Sequence, residues 1–248
     1  MTTDNIGKIS NGVNENASGF SKKDLFVSLF IGEATAWLLI VLFRGLVSAE
    51  LYAKFSNILF YLLPIGFPLV CAFFLYIAYQ LGKKIAVLKQ IGRFVLVGGF
   101  NTVVDWGILT FLIFFFRQYL STDSKDIIFN VFSVAIIYYT LYKSISFVLS
   151  AANSYVWNKF WTFERRTTES VSKEFTQFFI VTVIGFLINV GIASGVFKFI
   201  GPLGPLNSDQ WAIVAAVFAT AASMVWNFIG YKFIVFDRKP AENLPMGQ

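Results

Sequence analysis

The stretch Arg93-Phe-Val-Leu-Val-Gly-Gly-Phe-Asn-Thr-Val-Val-Asp-Trp-Gly107 decides how the chain is read. It is an apolar run with an arginine at its mouth and a carboxylate inside it. At about 1.5 Å per residue, Asp105 lies roughly 18 Å along a helix from Arg93, near the middle of a ~30 Å hydrocarbon core. On a helical wheel Gly98, Asn101, Thr102 and Asp105 share one face, while Phe94, Val95, Val103 and Trp106 point mostly elsewhere. An ionisable residue at bilayer depth is costly, so Asp105 is expected to face a wet cavity or to hydrogen-bond a neighbouring helix.

The same stretch recurs. Shifted by 84 positions, Arg93-Phe-Val-Leu-Val falls on Gln177-Phe-Phe-Ile-Val, and Asp105-Trp-Gly-Ile falls on Asn189-Val-Gly-Ile. Thr182, Gly185, Asn189 and Ala193 give the second copy its own small and polar face. Asp105 and Asn189 are therefore candidates for matching positions in an internal duplication, one half keeping a charge where the other keeps an amide.

Composition agrees with a polytopic membrane protein. Of 248 residues, 56% are hydrophobic, 19% aromatic and only 14% charged, and the mean hydropathy is +0.67. So few charges cannot screen that much apolar surface from water. The net charge of +6 sits at the ends of apolar runs, as membrane topology requires, so no nucleic-acid partner is expected. The chain has no histidine and a single cysteine, Cys71, so neither a metal site, a cofactor nor an internal disulfide is implied.

Working outward, residues 1–23 read as a disordered cytoplasmic tail, and 24–92 as two transmembrane helices followed by a basic linker. The first span, about 25–43, contains Glu33, read as an interfacial group or a second intramembrane carboxylate. The second, about 58–80, contains Pro64 and Pro68, which should kink it. Lys83, Lys84, Lys89 and Arg93 place the following loop in the cytoplasm, and Ile85, Val87, Leu88 and Ile91 predict a short interfacial amphipathic helix there. The third span is about 93–116. Residues 127–138 are expected to form an amphipathic or re-entrant segment. The remaining spans fall at about 139–158, 177–199 and 211–230, and residues 239–248 form a second cytoplasmic tail. The expected fold class is thus all-α, with six transmembrane helices and both termini inside.

The repeat reaches the even-numbered helices. Val156-Trp157-Asn158 matches Val225-Trp226-Asn227, and Lys159-Phe160-Trp-Thr-Phe163 matches Lys232-Phe233-Ile-Val-Phe236, in registers that differ by four residues. The repeats, 93–163 and 177–236, should share one orientation and pack as a pseudo-two-fold four-helix unit. Lys159 and Lys232 have two open readings. They snorkel to headgroups as ordinary topology signals, or they join Arg93, Asn158 and Asn227 in drawing a lipid phosphate into a groove.

The segments Arg93–Asp105 and Asn153-Ser-Tyr-Val-Trp-Asn-Lys-Phe-Trp-Thr-Phe163 together resemble the GtrA-like family of small bacterial membrane proteins, over about residues 93–238. The matching positions are Gly98, Gly99, Asn101, Asp105, Asn153, Asn158, Lys159 and Phe163, then Asn227, Lys232 and Phe236. The resemblance implies a multi-pass protein of the bacterial cytoplasmic membrane, not an enzyme, that flips a polyprenyl-phosphate-linked monosaccharide for cell-surface glycosylation. A membrane glycosyltransferase partner and a homo-oligomer are compatible with it. The two additional N-terminal helices depart from the family pattern. On this reading the sugar phosphate meets Arg93, Asn101, Asp105, Asn153, Asn158, Lys159, Asn189, Ser223, Asn227 and Lys232, with no catalytic residue. The alternatives are a scaffold that recruits a polyprenyl-phosphate glycosyltransferase, and a proton-coupled small-molecule exporter using Glu33 or Asp105.

Overall fold

The computed structural model describes residues 19–46, 48–132, 134–165, 170–200, 202, 204 and 208–236. The expected C-terminal tail, Arg166, most of the N-terminal tail and most of the 201–207 loop lie outside them. The elements are α1 (Lys22–Leu46), α2 (Ala49–Leu81), α3 (Val87–Leu120), β1 (Ile127–Val131), β2 (Val134–Ile137), α4 (Tyr138–Trp157), α5 (Val171–Phe199) and α6 (Ser208–Gly230). A π-helical turn ends each of α4 and α6: π1 (Asn158–Thr162) and π2 (Tyr231–Val235). Among the described residues five helices, α1, α2, α3, α5 and α6, are long and apolar enough to cross a membrane. The 20 residues of α4 reach about 30 Å, but they include Lys143, four serines and Asn153, which dilute its hydropathy.

The chain divides into two compact units, residues 1–110 and 111–248. In the first, α1 packs along α2. The helix begins at Lys22, earlier than expected, because Ser21 caps it: its hydroxyl accepts from the Asp24 N–H and donates to the Asp24 carboxylate at 2.6 Å. Likewise α2 begins at Ala49, where the Ser48 hydroxyl accepts from the Leu51 N–H, and it runs as one helix through Pro64 and Pro68. Gly32 lies directly against the Pro68 backbone, where a Cβ would collide. Ile31, Ala36, Ile40 and Leu42 of α1 and Cys71, Ala72, Leu75 and Tyr79 of α2 are buried, while Phe26, Tyr61, Ile65 and Leu69 are exposed. Such outward apolar residues suit a lipid solvent.

No separate amphipathic helix follows α2. Residues 82–86 form turns, with Gly82 N–H donating to Ala78 and Leu88 N–H to Ile85, and α3 starts at Val87. The expected helix has only about ten residues and only Ile85, Val87, Leu88 and Ile91 as its apolar set, too little to hold a helix apart from a longer neighbour that absorbs half of it. Gly92 permits α3 to touch Ala78 and Leu75 of α2, and Gly107 meets Leu38. The buried line of α3 is Phe94, Val97, Phe100 and Val103, while Gly98, Asn101 and Asp105 are half-buried and Thr102 is exposed. The polar face of α3 thus lies beside its most buried line and not on it.

In the second unit a β-hairpin follows α3 at 127–137, where an amphipathic or re-entrant segment was expected within an all-α fold, so the fold is helical but not purely α. Ile127 pairs with Ile137, Phe129 with Ile136 and Val131 with Val134, antiparallel. Residues Ile127-Ile-Phe-Asn-Val131 and Val134-Ala-Ile-Ile137 are rich in β-branched side chains, and Phe132 takes the positive φ of 52° at the bend. Beyond it, α5 and α6 pack closely. Gly185 faces the Asn227 side chain, Gly230 faces Val181, and the Trp226 indole donates to the Val181 carbonyl at 3.0 Å.

Candidate functional site

Each of the two π turns carries a lysine, Lys159 in π1 and Lys232 in π2. Each is five residues long, and they are spaced by 231 − 158 = 73 positions. That is the register of the Lys-Phe-x-x-Phe match, so Lys159 corresponds to Lys232 and Phe163 to Phe236, while the Val-Trp-Asn match is four residues out. The two closing phenylalanines stack on each other, with centroids 5.2 Å apart and planes at 26°. Phe178 of α5 in turn stacks on Tyr231 at 4.2 Å. A π turn adds a residue to the helical repeat and re-aims the side chains that follow, and such turns recur at functional sites.

Lys159 does not snorkel. It is 4% exposed, and its ammonium donates to Glu174 Oε1 at 2.7 Å and to the Tyr155 hydroxyl at 3.0 Å. The Tyr155 hydroxyl itself donates to Glu174 Oε1 at 2.6 Å. Ammonium, phenol and carboxylate thus close a neutral cluster at the junction of π1 and the first turn of α5. The expected exposed cation is corrected for a plain reason: a buried charge is tolerated when paired and fully hydrogen-bonded. Beside it, buried Asn158 donates to the carbonyl and hydroxyl of Ser154, leaving its Oδ1 buried and without a donor.

Lys232 is different. It is half-buried, and its ammonium lies 5.7 Å from the Phe228 ring centroid and 5.5 Å from that of Phe233. Asn227 is held against Gly185 of α5, again with a buried Oδ1 lacking a donor. Deeper along the same helices, Asn189 Nδ2 donates to the hydroxyls of Thr220 and Ser223, each at 3.4 Å, and Ser223 donates to the Thr220 carbonyl. Thr182 shares a hydrogen bond of 2.7 Å with Tyr231. Asn189 and Ser223, both named from sequence, are thereby brought together. Asn153 is half-buried on α4. Near the start of that helix, Tyr139, Thr140, Lys143 and Ser144 line an open groove of about 370 Å³ with Phe147, Val183 and Phe186.

In the first unit, Arg93 is also neutralised internally. Its guanidinium meets the Asp24 carboxylate at 2.9 Å and donates to the Tyr79 hydroxyl at 2.6 Å, and Tyr79 donates to Asp24 at 2.7 Å. Asp24 is 1% exposed. Cation, phenol and acid repeat the arrangement of Lys159, Tyr155 and Glu174. Asn101 and Asp105 lie farther along α3, both half-buried. Glu33 accepts a hydrogen bond from the Trp37 indole at 2.6 Å and borders an open groove with Pro64 and Pro68.

Sequence reasoning missed Asp24, Tyr79, Tyr155 and Glu174; Thr220 it placed on a polar stripe of the last span, with Ser223, Asn227 and Gly230. Asp24 and Glu174 each sit in a short charged run, Lys22-Lys-Asp24 and Lys173-Glu174, that reads as a solvated helix start. The available signal was the placement of each acid in a first helical turn, where a carboxylate is favoured by the helix dipole and held in place.

Comparison with known proteins agrees with this architecture. No solved structure matches the chain. It is 28% identical over 150 residues to the uncharacterized membrane protein YngA of Bacillus subtilis (strain 168), covering 60% of this chain and 80% of that one. The family described as GtrA/DPMS, transmembrane domain, matches residues 93–236, which take in α3, the hairpin, α4, α5, α6 and both π turns. That span is more than half of the chain, and its first residue is the arginine that Asp24 holds: this is a multi-pass membrane protein of the GtrA/DPMS transmembrane-domain family, a family involved with polyprenyl-phosphate sugar lipids.

Proposed function

We propose that the chain is a flippase that moves a polyprenyl-phosphate-linked monosaccharide across the bacterial cytoplasmic membrane. There the sugar serves a membrane glycosyltransferase that modifies a cell-surface polymer. The protein acts as a transporter, with α4 as a sixth crossing and both termini on the cytoplasmic side. Residues 93–163 and 177–236 form its two like-oriented halves.

The observation that carries this reading is the seam of Asn189, Thr220 and Ser223 between α5 and α6. Asn189 stands about 15 Å from the end of α5, well inside an apolar helix, where a polar side chain needs a partner. Thr220 is exposed, so the seam is open to a ligand. Amide and hydroxyl groups exchange hydrogen bonds with sugar hydroxyls one for one, at little net cost to either side. Asn153 of α4 offers the same chemistry within this unit, and the first unit carries a polar pair of its own, Asn101 and Asp105 on α3, while the isoprenoid tail stays in lipid.

The test is transbilayer movement of a labelled polyprenyl-phosphate monosaccharide in liposomes holding the purified full chain. Wild type should accelerate it, and Asn189→Leu with Ser223→Val should abolish the acceleration. If folded wild type moves no sugar lipid, across several sugars and with an imposed proton gradient, the flippase reading falls and the scaffold replaces it.

A further inference from the structure

We propose that the matched lysines of the two π turns have divided their roles. Lys159 is structural, and Lys232 is the residue that meets the phosphate of an anionic isoprenoid lipid. The inference rests on the reading of the chain as a handler of polyprenyl-phosphate sugar, and it fixes where the anion binds.

Three cations were candidates for that contact: Arg93, Lys159 and Lys232. Two of them are already satisfied by carboxylates within the protein, at 2.9 Å and 2.7 Å. A phosphate arriving at Lys159 would meet a neutral cluster with Glu174 in its centre, and the two anions would repel each other. Lys232 has no carboxylate of the described residues within ion-pair distance, and it is half-buried, not sealed. Its neighbours are the Phe228 and Phe233 rings, which favour a cation and keep water back. An ammonium that is partly desolvated and has no carboxylate of the described residues beside it is a natural seat for a phosphodiester oxygen.

The surroundings fit the rest of such a lipid. Val225, Ile229 and Phe233 are all exposed and lie four residues apart along α6 into π2, an apolar track that ends beside the Lys232 ammonium. In the 73-residue register, Ile229 and Phe233 correspond to Val156 and Phe160, which are exposed as well. The two turns therefore offer similar apolar surface. They differ in the charge beside it, which π2 presents and π1 hides under Glu174. Of the two turns, π2 is the one that matches an amphiphile with one anionic head and an isoprenoid tail.

The experiment measures binding, separately from transport, with the full chain in nanodiscs. The probes are undecaprenyl phosphate and uncharged undecaprenol, with inorganic phosphate as competitor. Wild type should prefer the phosphate lipid, and Lys232→Gln or Lys232→Met should reduce that preference about tenfold, the loss of one charge-assisted hydrogen bond. Lys232→Arg should keep it within about threefold. The Lys159→Met, Glu174→Leu double variant should retain the preference in whatever fraction folds. On wild type, a photoactivatable isoprenoid phosphate should label residues 228–236 and not 155–163, a readout that needs no variant. The proposal is overturned by an unchanged preference in the folded neutral Lys232 variants, by labelling at 155–163 alone, or by equal binding of the alcohol. Displacement by millimolar inorganic phosphate would overturn the lipid assignment in favour of a soluble anion. The flippase reading fails on its own if the lipid binds at Lys232 and does not move.

Discussion

Replacing Glu174 by glutamine removes one negative charge from the closed cluster of Lys159, Tyr155 and Glu174 and leaves the shape almost unchanged. The attraction lost is large. Unit charges 2.7 Å apart attract by about 6 kcal/mol at an effective dielectric near 20. Most of this offsets the desolvation of the two ions in the intact pair, so the pair itself contributes little net stability. The single variant is another matter, because the Lys159 ammonium stays buried with an amide in place of its counter-ion. A cost of about 3–5 kcal/mol follows. Replacing both partners, Lys159→Met with Glu174→Leu, removes both charges and should cost about 1–2 kcal/mol, mainly for the Tyr155 hydroxyl left without Glu174. Unfolding free energies in mixed micelles, measured for the four proteins of a double-mutant cycle, separate the two cases. A Glu174→Gln variant within 1 kcal/mol of wild type would refute the reasoning, as would a double variant at least as damaged as the single one.

The equivalent cluster in the first unit makes a parallel claim. Asp24→Asn leaves Arg93 without its counter-ion and should loosen α1 from α3, read as faster proteolysis near residues 19–24, with a stability loss of about 3 kcal/mol. Gly185→Ala should cost about 1–3 kcal/mol because its methyl group meets the Asn227 side chain. The further change Asn227→Ala should recover much of that loss in thermal unfolding. On the loop after α3, the Lys125 N–H, and then Arg117, hold the Asp123 carboxyl below its ordinary value of 3.8. A depressed folded value means that the loop is favoured above the ordinary carboxylate range and loses that support as pH falls through the folded value. The protection factors of the amides of residues 121–126, that is, exchange corrected for its intrinsic pH dependence, should therefore stay constant from neutrality to about pH 5 and fall only under stronger acid. A fall already present at pH 6 would contradict it.

How much of this was legible in the sequence varies by residue. The long apolar runs, the cations at their ends and the Lys-Phe-x-x-Phe repeat are local features, and α1, α2, α3, α5 and α6 follow from them with limits moved by a few residues to one turn or two. The beginnings of α1 and α2 were missed because Ser21 and Ser48 act through one hydrogen bond each, which hydropathy does not register. The hairpin at 127–137 was missed because a short apolar run satisfies helix and strand alike, and its two positive-φ neighbours, Ser121 and Phe132, are not glycines.

The sequence by itself determined that the chain belongs in a membrane, because 56% apolar residues with 14% charge leave no other solvent. It also determined that amides and hydroxyls recur inside apolar helices, because their spacing is written in the chain. Which charges remain available was decided only in three dimensions. Arg93 meets an acid 69 residues earlier, Lys159 meets one 15 residues later, and Lys232 meets two rings. Those outcomes depend on the rotation of each helix about its axis and on the extra residue of each π turn. A difference of one residue turns a helical side chain by about 100°, enough to exchange a buried counter-ion for open lipid.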